Sequence, residues 1–450
     1  MSYQFKWVAH CINFVLGDII KVADLNFYNI IIFFIILSFL FQVVLDKMQI
    51  KYLTNNLNFI PERFRENISI DDHKKSIEYT KDKLDHRIKR NLVEILFLGM
   101  LTFGGFLDYL TQNVYALSLS LNIDAVLAGS LLVLLFYCIV FLVDVPFNLF
   151  KQFVIEDRYG FNKMTLRLWL ADLAKNTALS GILIFPIIYL VLFLITNRME
   201  IGALWWILLW ALVVFLSVSF MIIFPLIIAP IFNKFSPIEN GLLKERLEKL
   251  LTRCKFKSKG LFTMDGSKRS SHGNAYFAGI GGAKRIVLFD TLIEKLNEKE
   301  IEAVLAHEVG HYKCGHIPSR LLISALMSFG FFFFLGLFID EQLFFQSFGM
   351  SIETTNLIEN SGILSASFFV VFFYILPNAL FPLRPFTAIL SRKHEFEADS
   401  YAAENAEASQ LISALIKLYR ENSAPVITNK WFSLFYDSHP NALARIDALE

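Results

Sequence analysis

The chain has 450 residues, 55% of them hydrophobic, 15% aromatic and only 18% charged, a balance that suits the bilayer and excludes an ordinary water-soluble globule. Its net charge of +1, with no basic stripe interleaved with aromatics, argues against a nucleic-acid surface. Cys11, Cys138, Cys254 and Cys314 lack C-x-x-C spacing, so neither a disulfide framework nor a cysteine zinc knuckle is expected, and Cys314 reads as a small buried packing residue.

The chain opens without an evident cleavable signal peptide, and the segment around 8–20 reads as lying along the membrane interface. Seven apolar stretches are long enough to cross a bilayer, at 28–45, 92–111, 125–149, 176–195, 203–230, 320–339 and 361–382. They divide the chain into 1–231 with five spans, a polar insertion at 232–319, two further spans within 320–390, and a C-terminal segment, 391–450. Glu94, Asp108 and Asp144, in or near spans, either face a protein or water-filled interior or sit solvated at the interface, because lipid contact is costly for a carboxylate. The short loop 150–175 carries Lys151, Arg158, Lys163, Arg167 and Lys175, whereas 112–125 and 340–362 hold no lysine or arginine. The positive-inside rule therefore places 46–91, 150–175, 232–319 and the C-terminal tail in the cytoplasm, with the N-terminus outside or lumenal.

Within the insertion, Glu239 to Cys254 is patterned as an amphipathic helix. Gly260–Met264, Asn274–Ala278 and Lys284–Phe289 read as short strands, with Gly279, Gly281 and Gly282 turning the last two into a hairpin. Two helices follow, and the second, opening at Glu298 and stopped by Gly315 with Pro318, carries His307-Glu308-Val309-Gly310-His311. Residues four apart share a helical face, so His307 and His311 aim at one metal while Glu308, turned by about 100°, reaches a metal-bound water. Zinc lowers the pKa of such a water to roughly 7, and the glutamate takes its proton as it attacks a carbonyl. That is peptide-bond hydrolysis in outline.

The same five-residue pattern also occurs in helices that bind nothing, so a third donor is needed. His316, about 180° round from His307 on a continuing helix, reads as a polar residue at the helix C-terminus. Glu395 and Asp399 are four apart in Ser391–Asp399 and suit a ligand carboxylate followed by a carboxylate that orients a ligating histidine through its other nitrogen. Glu397 and His394 point elsewhere on that helix and read as solvated. An edge strand beside a helix of this kind can pair with an extended peptide, so Asn274, Ala275, Tyr276 and Phe277 form either a substrate strand or an ordinary core hairpin strand.

Seven blocks, taken in order, resemble the type 1 CAAX prenyl proteases, a family of integral-membrane gluzincin metalloproteases. They are Phe153–Lys163, Ala229–Pro237, Gly266–Phe277, Lys284–Leu292, His307–His311, Ser391–Asp399 and Ser438–Ile446. The resemblance implies an α-helical polytopic fold, with seven helices around a water-filled chamber closed by a small α+β zinc domain on the cytoplasmic face. It implies one Zn2+ per chain held by His307, His311 and Glu395, with Glu308 as general base and Asp399 supporting the ligands. His439 and Arg445 would line the site and stabilise the oxyanion, and Asn274 and Ala275, with Tyr276 and Phe277 beside them, would pair with substrate. The family removes the last three residues of C-terminally prenylated proteins, so the expected partners are the bilayer and a peptide or prenylated protein, with the chain a monomer.

Ser271-His-Gly-Asn-Ala-Tyr-Phe277 carries Gly273 where the family has serine, and the chain ends at Glu450 directly after the His-Pro block. Together with the Phe/Ile/Asn/Lys-rich usage this leans towards a bacterial inner-membrane member, with membrane-protein quality control as the alternative function; a eukaryotic member would sit in the endoplasmic reticulum. A seven-span transporter would leave Glu308, Glu395 and 232–319 unexplained, and an intramembrane site-2-type protease would need its motif inside a span.

Overall fold

The structure is a computed structural model that describes residues 26–278, 284–358 and 361–450. The expected interfacial segment around 8–20 and the glycine turn at 279–282 lie outside the described residues. The membrane half opens with α1 (Asn26–Asn55), α2 (Ile70–Thr102), α3 (Phe106–Leu121), α4 (Ala125–Phe150), α5 (Leu166–Thr196) and α6 (Trp205–Ile223). Six helices among the described residues are long and apolar enough to cross a membrane, or seven when α2 and α3 count as one broken span. The single span expected at 92–111 is thus corrected: the path bends by 55° between α2 and α3. Gly104 and Gly105 make the break, the latter in the left-handed region at φ 64°, where a side chain would be strained.

Beyond α6 the chain builds the water-facing domain from β1 (Phe235–Pro237), α7 (Leu242–Arg253), β2 (Leu261–Met264), β3 (Ala275–Ala278), β4 (Arg285–Phe289), α8 (Asp290–Lys295) and α9 (Glu298–Lys313). It then re-enters the apolar half as α10 (His316–Phe338) and α11 (Gly362–Val370) and returns with α12 (Arg384–Asn405), α13 (Ala408–Glu421), α14 (Lys430–Tyr436) and α15 (Ala442–Leu449). Gly129 on α4 meets Gly362 of α11 so closely that a Cβ at either position would run into the other helix's backbone. Small residues at such crossings let spans pack where lipid supplies no hydrophobic drive.

The sheet order is β1-β2-β4-β3, with β2 and β4 parallel and the outer pairs antiparallel. The antiparallel β3–β4 neighbours occur where a hairpin was read, with Phe277 opposite Ile286. β1 was not legible beforehand, because three residues ending in proline show no alternation and gain their strand character only from pairing with β2. Leu247, Leu250, Ile286, Leu288, Ile301 and Leu305 form the centre of this domain's core, under the sheet and behind α9. Burying such side chains contributes roughly 1.5–3 kcal/mol each, which fixes the helix that carries the site.

Two of the three acidic residues near the spans have hydrogen-bond partners. Asp144 accepts two hydrogen bonds from Arg90, and Asp108 accepts from Gln112 and from the backbone N–H of Ser351. Glu94 lines a small cavity with Gln42 and Asn91.

Candidate metal centre

The site begins with how α9 starts. Asn297 accepts from the backbone N–H of Glu300 at 2.9 Å, and Glu300 accepts from that of Asn297 at 2.8 Å, a reciprocal cap that satisfies two otherwise unpaired donors. Buried Glu300 is also bonded by Ser413 and Lys417 of α13, so one carboxylate both caps α9 and ties it to its neighbour. Further along, Gly310 faces α12, where a Cβ would lie 3.0 Å from the Cα and carbonyl oxygen of Ala398. This close passage brings Glu395 and Asp399 against the two histidines.

His307 Nε2 and His311 Nε2 are 3.2 Å apart, Glu395 Oε2 is 3.4 Å from the first, and Glu395 Oε1 is 3.3 Å from the second. Ligand atoms held about 2.0–2.2 Å from a tetrahedral zinc stand roughly 3.3–3.6 Å from one another, so two imidazoles and a carboxylate fit three corners of such a site. Glu395 Oε2 is buried and accepts no hydrogen bond, as suits an oxygen whose lone pair serves a cation.

The electrostatics follow from burial and close partners. Burial opposes charge on His307, yet Asp399 and Glu395 outweigh it and push the ring up to about 9. Burial also raises Glu395 and Asp399, but His307 and His311 hold the first well below the carboxylate range, and His307 with Arg445 lowers the second. Glu308 shifts the other way: burial and the neighbouring Glu395 charge raise it, against the pull of the two histidines. A carboxyl lifted in this way is a stronger proton acceptor.

Arg445 and His439 both reach the centre, by different routes. Arg445 is buried and grips Asp399 with two hydrogen bonds, at 2.8 and 2.6 Å, while Asp399 Oδ1 lies 2.8 Å from His307 Nδ1. Its remaining arm, Nη1, lies 3.6 Å from Glu395 Oε2. His439 is 61% exposed, with Nε2 3.4 Å from Glu395 Oε1 and Nδ1 paired with Ser438.

β3 is one of the two outer strands of the sheet and touches α9. Ala275 and Phe277 pack towards the domain core, Phe277 against Phe256, whereas Tyr276 lines a cavity of about 970 Å3 with His272, Asp172 and Arg269. The loop before β3 docks on the membrane half: Ser271 N–H donates to the Phe161 carbonyl, His272 stacks on Phe161 at 4.2 Å, and Arg269 donates to Asp172. Another cavity, of about 1000 Å3 and mostly apolar, runs between α10 and α12 from Phe331 and Phe372 to Ser438.

Three readings of side chains are corrected. His316 does not end α9; Gly315, at φ 72°, breaks the helix and makes His316 the first residue of α10, 2% exposed, with Nδ1 2.9 Å from His311 Nδ1. The expected 180° offset fails because it assumed an unbroken helix. His394 is 5% exposed and stacked on His316 at 4.1 Å, and Glu397 bonds His316 Nε2 at 2.8 Å, so neither is merely solvated. Cys314, read as buried, is exposed at the C-terminal end of α9. No signal in the local pattern marked the His311–His316–Glu397 contact, since it depends on two helices meeting.

The spans and a metal-fitting His-Glu centre on an H-E-x-x-H helix define an integral-membrane metalloprotease. A family model described as the CAAX prenyl protease N-terminal region, with five membrane helices, matches residues 49–234, and one for peptidase family M48 matches 237–450. A CAAX prenyl protease 1 homolog of Arabidopsis thaliana is 34% identical over 94% of this chain and 97% of its own. CAAX prenyl protease 1 of Saccharomyces cerevisiae is 36% identical over 69% of each chain. The crystal structure of S. mikatae Ste24p superposes with a TM-score of 0.84 at 29% identity, covering 94% of this chain and 99% of that one. The chain belongs to the type 1 CAAX prenyl protease family of M48 metallopeptidases, a family that implies a metal ion, generally zinc.

Proposed function

We propose that this protein is a zinc endopeptidase that cuts near the C-terminus of prenylated CAAX-type proteins, with one Zn2+ held by His307, His311 and Glu395. The observation that carries the reading is the convergence of those three donors to within 3.2–3.4 Å. Zinc, when bound, supplies Lewis acidity that polarises the scissile carbonyl and acidifies a water. Glu308 accepts the proton of the attacking water and returns it to the departing amide nitrogen. Asp399 accepts from His307 Nδ1–H and keeps that ring's Nε2 directed at the centre. His439 Nε2 and Arg445 Nη1, both beside Glu395, face the charge that grows on the carbonyl oxygen.

The free edge of β3, from Asn274 to Phe277, holds the substrate backbone in extended form, with Tyr276 contributing a side-chain contact from its cavity. The apolar cavity reaching Ser438 lies beside His439 and suits an isoprenoid chain. The protease domain faces the cytoplasm, on the loop-charge argument; similarity to plant and yeast relatives supports the endoplasmic reticulum membrane over the bacterial inner membrane that residue usage favoured, and the protein works as a monomer. Support for the substrate class comes from the names of relatives that match almost end to end.

Purified protein in proteoliposomes tests this with a farnesylated CAAX peptide, its unprenylated twin and Glu308→Gln. The variant should retain zinc and lose roughly 10²–10⁴-fold in turnover. Unchanged turnover would remove Glu308 from the reaction, and equal cleavage of the two peptides would move the substrate class towards membrane-protein quality control.

A further inference from the structure

We propose that His316 and Glu397 are positioning residues for His311, forming a two-link hydrogen-bond relay that fixes the ring's tautomer and plane and so sets how tightly the centre holds its metal. The inference rests on the reading of His311 as a ligand. His311 presents Nε2 to Glu395 and His307, so the one proton of its neutral ring sits on Nδ1. That atom lies 2.9 Å from His316 Nδ1, which must therefore accept. The remaining proton of His316 is then on Nε2, which donates to Glu397 Oε2 at 2.8 Å. Each ring nitrogen has one role, and the polarity runs without conflict from ligand to carboxylate. A carboxylate at the far end makes His316 a better acceptor, which in turn makes His311 Nε2 a better donor to a cation.

Packing holds the relay in place. His316 is 2% exposed and His394 lies flat against it, with ring planes 12° apart. His316, His394 and Glu397 also place donor atoms close enough to suggest a second ion, and His394 Nδ1 is buried without a hydrogen-bond partner. Parallel stacking argues against that alternative, because nitrogen lone pairs lie in their ring planes and parallel planes do not meet on one ion. The lone pair that His316 has free, at Nδ1, is already engaged by His311.

The test uses the full chain in detergent, with four readouts: zinc Kd by chelator competition, ions per chain, the absorption spectrum of the Co2+-loaded protein, and Tm after metal removal. His316→Leu should weaken zinc binding about 10–100-fold and shift the Co2+ spectrum. His316→Gln should restore most of the affinity, since its carbonyl can accept from His311 and its amide can donate to Glu397. Glu397→Leu, at a half-exposed position, should give a smaller loss with an unchanged Tm. His394→Phe keeps the stack and should stay within about twofold of the parent, well below the loss expected where a support of a ligand is removed. Unchanged Kd in His316→Leu, or equal losses for Leu and Gln at that position, would overturn the relay. A second ion per chain that disappears in His394→Phe would overturn it in favour of a second metal site. His311→Ala separates the two levels: if it leaves zinc binding intact, the ligand reading itself fails.

Discussion

His307 and His311 sit one turn apart on α9, and their outer nitrogens meet anchors of different kinds. His307 Nδ1 meets Asp399, which is 1% exposed and clamped by Arg445, itself only 7% exposed. His311 Nδ1 meets another histidine, and the support ends at Glu397, whose side chain is 41% exposed. Water screens the second anchor and scarcely reaches the first, so breaking the first leaves a charge stranded in the interior while breaking the second does not. The difference shows that two histidines on one helix face can be held by anchors of unequal burial.

The comparison is tested hardest at Asp399. Asp399→Ala strands Arg445 and should cost roughly 3–5 kcal/mol in denaturant unfolding, with metal content falling in parallel. A loss under about 1 kcal/mol would mean that the buried anchor is no stronger than an exposed pair. Next comes the helix crossing that serves both anchors: Gly310→Ala forces α9 and α12 apart and should cost roughly 1–3 kcal/mol while weakening zinc binding. Full zinc affinity in that variant would show that α12 yields without moving Glu395.

Acidity separates the two sides as well. In metal-free protein the His307 ring is raised from 6.5 to about 9, so its stabilising contribution is complete below the unfolded value and is lost as pH rises through the folded one. The Tm of metal-free protein should therefore fall between about pH 6.5 and 9, and zinc affinity should rise across the same window as the competing proton leaves. Asp399→Asn should flatten both profiles, whereas Glu397→Leu should leave their slopes intact; a slope that follows Glu397 instead would reverse the assignment. The smallest effect belongs to Lys393, 71% exposed and 3.6 Å from Glu397. Lys393→Ala should change stability by less than about 0.5 kcal/mol, and a larger change would make the outer anchor stiffer than argued.

Much of this was legible beforehand. Six of the seven apolar stretches located spans, the one at 92–111 falling across a bend, and β2, β3 and β4 were located within a residue or two of their observed limits. His307, His311, Glu395 and Asp399 were nominated from i, i+4 spacing, and they do converge. Arg445 and His439 came only from the family likeness, since an arginine and a histidine six residues apart carry no chemical signature of their own. Several of the failures share a cause. The break at Gly104–Gly105 and the helix break at Gly315 each follow from a glycine taking a backbone path that helical periodicity assumes away.

What the sequence by itself determined was everything set within one or two turns of a helix or along one strand: the spans, the motif face, the start of α9 and the pairing of carboxylates on α12. Only the tertiary structure decided that α12 passes close enough to Gly310 for Glu395 to reach both histidines, and that His316 turns back to support one of them. Periodicity specifies which side chains share a face, but not which faces meet. That second choice belongs to close packing between segments far apart in the chain, where the absence of a single Cβ sets the distance.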